Sequence, residues 1–192
     1  MVCFDECSKQ LIFDPRIPLP LRPGYPERYD YEYKREGTCN LFMFFAPLEG
    51  WRHVFVPSQR TTKDFAICMK ELVDSNDPQA QIIRVVLDNL NTHTPWALYE
   101  KFPPKIAKRI VERVEFHYTP SPSSWLNVAE IELSVLARQC LDRRISNSST
   151  LEKEVTAWTQ KRNKSKAKVH WRFTTKDARI KLKRLYPQIE TE

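Results

Sequence analysis

Asp5, Asp88 and Glu130 are the carboxylates whose neighbours in the sequence set them apart. Asp5 lies within an alternating segment, VCFDECSKQLIF. Asp88 ends an aliphatic run, QIIRVVLD, apolar on both faces apart from Arg84, as in a strand covered on both sides. Glu130 falls in the first two turns of the strongest helical pattern, WLNVAEIELSVLARQCL. Carboxylates gathered at one point repel, and their mutual field raises their pKa values unless a cation is present. Hard oxygen ligands with open positions suit Mg²⁺ or Mn²⁺. Two such ions stabilise the attacking and leaving oxygens of a phosphodiester displacement, with no covalent enzyme intermediate.

Each residue also has a plainer role. Asp5 and Glu6 point to opposite faces of a strand, so only one of them reaches a shared site. Asp88 suits an Asx-turn or a helix cap. Glu130 shares its helix with Glu132, and both suit a solvated face. Residue types and spacing alone leave these readings open. His93 follows Asp88 by five residues, and it suits either a structural role or support of the site.

The elements that must position these residues follow in chain order. The first strand precedes a proline-rich extended loop, DPRIPLPLRPGYPERYDYE. Two apolar runs, KREGTCNLFMFFAPLEG and WRHVFVPSQ, meet at a hairpin-type turn, PLEGW. Thr61 or Thr62 caps a helix over TKDFAICMKELVDS. After the aliphatic strand come PWALYEKF and PKIAKRIVERV, helical and broken at Pro103–Pro104. VEFHY is a last strand, and Ser124 is a candidate N-cap for the helix bearing Glu130. The order β-β-β-α-β-α-β-α predicts an α/β fold: a mixed five-stranded sheet with helices on both faces. In such a sheet Asp88 falls at the carboxyl end of a central strand, where ligands bind.

Composition narrows the classes. Three glycines, with neither GxxxxGKS nor GxGxxG, disfavour a nucleotide-hydrolysing or dinucleotide-binding protein. Five scattered cysteines without a CxxC read as reduced, buried thiols rather than a disulfide or zinc framework. No apolar run approaches the ~18 residues of a membrane span. With no secretory signal pattern at the N-terminus, the chain reads as cytoplasmic.

Charge divides the chain. Residues 1–142 hold 17 basic and 19 acidic side chains, a net −2, and the remainder hold 14 and 5, a net +9. The division predicts a body, residues 1–145, and a basic helical extension, residues 146–192. Arg162, Lys164, Lys166, Lys168 and Arg172 lie beside Trp158, Trp171 and Phe173, a mixture suited to phosphate contact and base stacking. Leu151, Val155 and Trp158 form one helical stripe, which assigns Trp158 to packing.

Taken together, CFDE, VVLDNLNTHTP and FHYTPSPSSWLNVAEIELSVLARQCLDRR resemble the DDE transposases of bacterial insertion sequences related to mariner elements. The shared pattern is a strand ending in D-N-x-x-x-H, then a strand leading through Y-T/S-P to L-N-x-x-E on a helix. The resemblance covers residues 2–145 most strongly. It implies a ribonuclease H-like fold, with Asp5 rather than Glu6 and Glu130 rather than Glu132 joining Asp88 as catalytic metal ligands. Asn89, His93 and Asn127 become candidates to support them. The activity implied is cleavage at transposon ends and transfer of the freed 3′-hydroxyl to a target, dependent on two Mg²⁺ or Mn²⁺ ions. The implied partners are terminal-repeat and target DNA, with a second copy or a full-length transposase. The implied location is the bacterial cytoplasm, at the nucleoid when bound to DNA.

Two departures stand out. Asp88 and Glu130 are 42 positions apart, longer than is common in the family. Members carry an N-terminal helix-turn-helix region, whereas this sequence starts at the first catalytic strand and is expected to lack it. An inert protein that binds DNA or associates with a transposase is the alternative expectation, and a nuclease acting on structured host substrates is a third.

Overall fold

The computed structural model describes residues 1–57, 59–76, 78–121 and 123–185. Ser58 of the predicted third strand, Pro122 of the loop before Glu130, and residues 186–192 of the extension lie outside the described residues. Five strands form one sheet: β1 (Val2–Phe13), β2 (Lys34–Ala46), β3 (Trp51–Phe55), β4 (Ile83–Leu87) and β5 (Val114–Tyr118). Their order is β3-β2-β1-β4-β5. The first three form an antiparallel meander, and β4 and β5 run parallel to β1. The mixed five-stranded sheet expected from the sequence is present.

Strand alternation divides β1 between two cores. Val2 and Phe4 face one side, with Phe42, Phe44, Val85 and Leu87. Against them pack α1 (Thr62–Glu71), α2 (Trp96–Lys101) and α3 (Pro104–Val111). Cys3 faces the other side, with Leu41, Met43 and Phe45. There it meets α4 (Ala129–Leu136) and α5 (Ser148–Lys164), which contributes Leu151, Val155 and Trp158. Trp158 is thus a packing residue, as its stripe predicts. All five cysteines are free thiols, four of them buried. Among the described residues no helix is long and apolar enough to cross a membrane.

Local chemistry explains the boundaries. Thr61 caps α1 through a reciprocal pair with Asp64, since its side chain accepts from Asp64 N and its own N–H donates to Asp64. α1 ends in a π-helical turn, Leu72–Asn76. Residues 14–33 form an arm between β1 and β2, its limbs bridged at Leu19–Arg28 and Arg22–Tyr25. The helix bearing Glu130 starts later than expected. Ser124–Leu126 is a 3-10 turn, and Asn127 is extended. The Ser124 cap is therefore not made. The buried Asn127 side chain takes that place, with Oδ1 accepting from Ala129 N at 3.2 Å.

The turn between β2 and β3 needs its glycine. Gly50 has φ +71°, and a Cβ there would stand 2.5 Å from the backbone carbonyl of Lys166. That seam joins the sheet to the segment leaving α5.

Candidate active site

Parallel pairing of β1 with β4 positions the first two acids. Val2 pairs with Val85 and Cys3 with Val86. Carried two residues further, the same register brings Asp5 level with Asp88, the residue that follows β4. Asn127 ties the approach to α4 onto β1, donating from Nδ2 to the Phe4 carbonyl at 2.7 Å. Glu130 follows one turn later, its N–H donating to Asn127 O at 3.2 Å. The three sequence-predicted acids are thus brought together beyond the carboxyl end of β4: Asp88 just past it, Asp5 within β1 alongside, and Glu130 close enough for its charge to act on Asp5. Asn89 holds the same edge, donating from Nδ2 to Thr119 O beyond β5 at 2.7 Å.

The electrostatics record this gathering. Burial first, then the charges of Asp88, Glu130 and Glu6, push Asp5 up to about 6 from an ordinary 3.8, against a hydrogen bond from the Glu6 N–H that favours its charge. Glu6 points to the opposite face of β1, as alternation requires. There it meets Arg60 Nε at 3.2 Å and His93 Nε2 at 3.1 Å. The other ring nitrogen of His93, Nδ1, lies 2.6 Å from Asp88 Oδ1. Burial works against a charge on His93, but its bonds to Glu6 and the fields of Glu6 and Asp88 outweigh it, so its pKa is raised. In its protonated form the ring can donate to a carboxylate from each nitrogen.

The donor set suits a hard divalent cation. One oxygen of Asp5 accepts from Glu6 N, and one of Asp88 from His93 and Leu90 N. Among the described residues, the second oxygens of both and the whole Glu130 carboxylate take no hydrogen bond. Their donor atoms do not close on one point: among the described residues no three His, Cys, Asp or Glu side chains form a ready metal cage. Mg²⁺ needs no such cage, because it keeps several waters and takes only one or two carboxylates. The chemistry of the residues therefore fits a divalent cation, held at an open site.

A sequence profile for a DDE superfamily endonuclease matches residues 1–152. The chain belongs to the DDE superfamily endonuclease family. Among solved structures it is similar to the Mos1 strand transfer complex, at TM-score 0.51 and 14% identity over 88% of this chain and 55% of that one. A second similarity is to the Mos1 mariner paired end complex with Mn, at TM-score 0.50 and 15% identity over 88% and 56%. These likenesses establish the ribonuclease H-like fold, and the chain spans about half the length of the Mos1 chains. No curated protein matches it.

The basic residues of this chain are placed unequally. Arg162 is tied down: Nε and Nη2 meet the two Glu132 oxygens at 2.6 and 3.0 Å, and its guanidinium lies over Trp158. Lys164, Lys166, Lys168 and Arg172 are exposed. Phe173 packs edge-on to Trp125 at 5.0 Å, and Lys181 Nζ stands 4.4 Å above the same ring. Trp125 lies in the turn before Glu130, so the basic segment returns toward the acidic edge.

Sequence reasoning missed a buried ionic cluster. Glu132 and Arg52 have fully buried side chains, paired at 2.8 Å, and Arg162 completes the group. Glu132 is therefore not the solvated residue its type suggested. Its signal was spacing, since it shares a helical face with Ala129, Leu133 and Leu136.

Proposed function

We propose that this chain is the catalytic portion of a transposase, which cuts DNA strands at transposon ends and joins them to a target with divalent metal. The observation that carries the reading is the level placement of Asp5 and Asp88 on neighbouring parallel strands, with Glu130 near enough to help raise the Asp5 pKa. Asp5, Asp88 and Glu130 would hold the metal, and the two-ion Mg²⁺ or Mn²⁺ chemistry of the family is part of the proposal. What bound ions supply is positive charge for the attacking and leaving oxygens of a phosphodiester displacement.

The chain's own residues do the rest. Asn127 sets where α4 begins, and so where Glu130 stands. Asn89 and Thr119 fix the loop beyond Asp88. Lys164, Lys166, Lys168 and Arg172, on the extension read as residues 146–192, offer phosphate contacts to terminal-repeat or target DNA beside the catalytic body read as residues 1–145. A second copy or a longer transposase would bring the two transposon ends together. The compartment this reading implies is the bacterial cytoplasm, at nucleoid DNA.

Nicking of a labelled terminal-repeat duplex with Mg²⁺ tests the proposal. Asp88→Asn and Glu130→Gln are expected to reduce nicking to background while circular dichroism stays unchanged. Nicking at the wild-type rate in either variant removes the reading. The exposed basic segment favours a second one, an inert DNA-binding or transposase-associating protein. It would show DNA binding that both variants retain and no metal-dependent nicking by the wild type.

A further inference from the structure

We propose that Glu6 is a positioning residue for Asp88, acting through His93. The inference rests on the reading of Asp88 as a metal ligand. Glu6 is an unexpected carboxylate, because it projects from β1 to the face opposite Asp5 and its side chain is only 3% exposed. Burying a charge there is costly unless it is paired and hydrogen-bonded. Arg60 contributes an ion pair at 3.2 Å, but it is itself half exposed. The enclosed partner is His93, fully buried with Nε2 3.1 Å from Glu6 Oε2.

The imidazole is packed on its faces and edge. Phe4 meets it edge-on with ring centroids 5.2 Å apart, and Phe65 stacks on it at 5.0 Å. Its backbone carbonyl accepts from the Tyr118 hydroxyl at 2.7 Å. In this packing Nδ1 is turned to Asp88 Oδ1, at 2.6 Å, while Nε2 is turned to Glu6. With Oδ1 engaged, Oδ2 is the oxygen that Asp88 offers to the edge where Asp5 and Glu130 stand. A link of this kind orients a ligand and raises its affinity for metal, and breaking one costs about 10–100-fold.

The test measures Mn²⁺ binding to the full chain without DNA, from the electron paramagnetic resonance signal of free Mn²⁺. Glu6→Met preserves the packing and removes the acceptor, and Glu6→Gln keeps an acceptor oxygen. The methionine variant is expected to bind Mn²⁺ about tenfold more weakly, and the glutamine variant to stay within about threefold of wild type. Loss of packing alone would not separate the two. Wild-type affinity in Glu6→Met, or equal weakening in both, overturns the proposal. If Glu6→Met does not fold, His93→Phe fills the ring's place between Phe4 and Phe65 without either nitrogen, and unchanged Mn²⁺ affinity there overturns it equally. Asp88→Asn separates the two levels. If that variant binds Mn²⁺ like wild type, the metal-ligand reading of Asp88 fails, whereas if only the Glu6 and His93 variants are silent, the positioning role alone fails.

Discussion

Asp5 is held in its strand at a cost that a cation would relieve. Its folded pKa of about 6 lies above the ordinary 3.8, so the folded chain binds the proton more tightly than the unfolded one. Ionisation therefore lowers stability, with little effect below pH 3.8, a growing loss up to about 6, and the full loss above that. Replacing the carboxylate removes the penalty. In EDTA, urea denaturation of Asp5→Asn should show a gain of about 1–3 kcal/mol near pH 8 and little gain near pH 4. Adding Mg²⁺ should stabilise the wild type more than the variant, because only the wild type keeps all three acids. A gain independent of pH would mean that packing, not charge, sets the difference. The identity of the acid was only half legible. Asp5 and Glu6 are adjacent carboxylates on one strand, and the choice between them needed the resemblance or the register with β4.

At the scale of elements, α4 carries two acids with opposite duties. Glu130 faces the open edge, whereas Glu132 turns inward to Arg52 and Arg162. The buried cluster joins β3, α4 and α5, and Asn163 extends it by exchanging hydrogen bonds with the Arg52 backbone at 2.7 and 2.8 Å. Removing Glu132 leaves Arg52 buried without a counter-charge. Glu132→Ala should therefore cost about 3–5 kcal/mol by chemical denaturation, while Glu130→Ala should cost little. Equal effects would contradict the division of labour. The cluster also explains why α5, polar in composition, packs as part of the domain: three apolar side chains and one arginine turn inward. Helix and strand types were legible from periodicity here. The start of α4 was not, because a tertiary bond from Asn127 to β1 overrides the local pattern.

At the scale of the whole molecule, the net charge of +9 beyond residue 142 sits on a near-neutral body. Arg162 spends its charge inside, so the surface share falls to residues such as Lys164, Lys166, Lys168 and Arg172. Changing these four to alanine should weaken duplex binding uniformly across sequences. It should also flatten the plot of log affinity against log salt by about one for each phosphate no longer neutralised. Fluorescence anisotropy at several salt concentrations measures both, and an unchanged slope would place the DNA on another face. Arg162→Ala should act differently, lowering stability before it alters the slope.

The sequence by itself determined the α/β class and the mixed sheet, because both are written in local periodicity, and it marked the basic charge beyond residue 142 and, through short motifs that resemble the family's, the three candidate acids. Tertiary structure alone decided what stands behind those acids. Glu6 and His93 are 87 positions apart, and Arg52 and Glu132 are 80 apart. No local pattern can report such pairings, since burial of a charge depends on which distant counter-charge the fold brings to it.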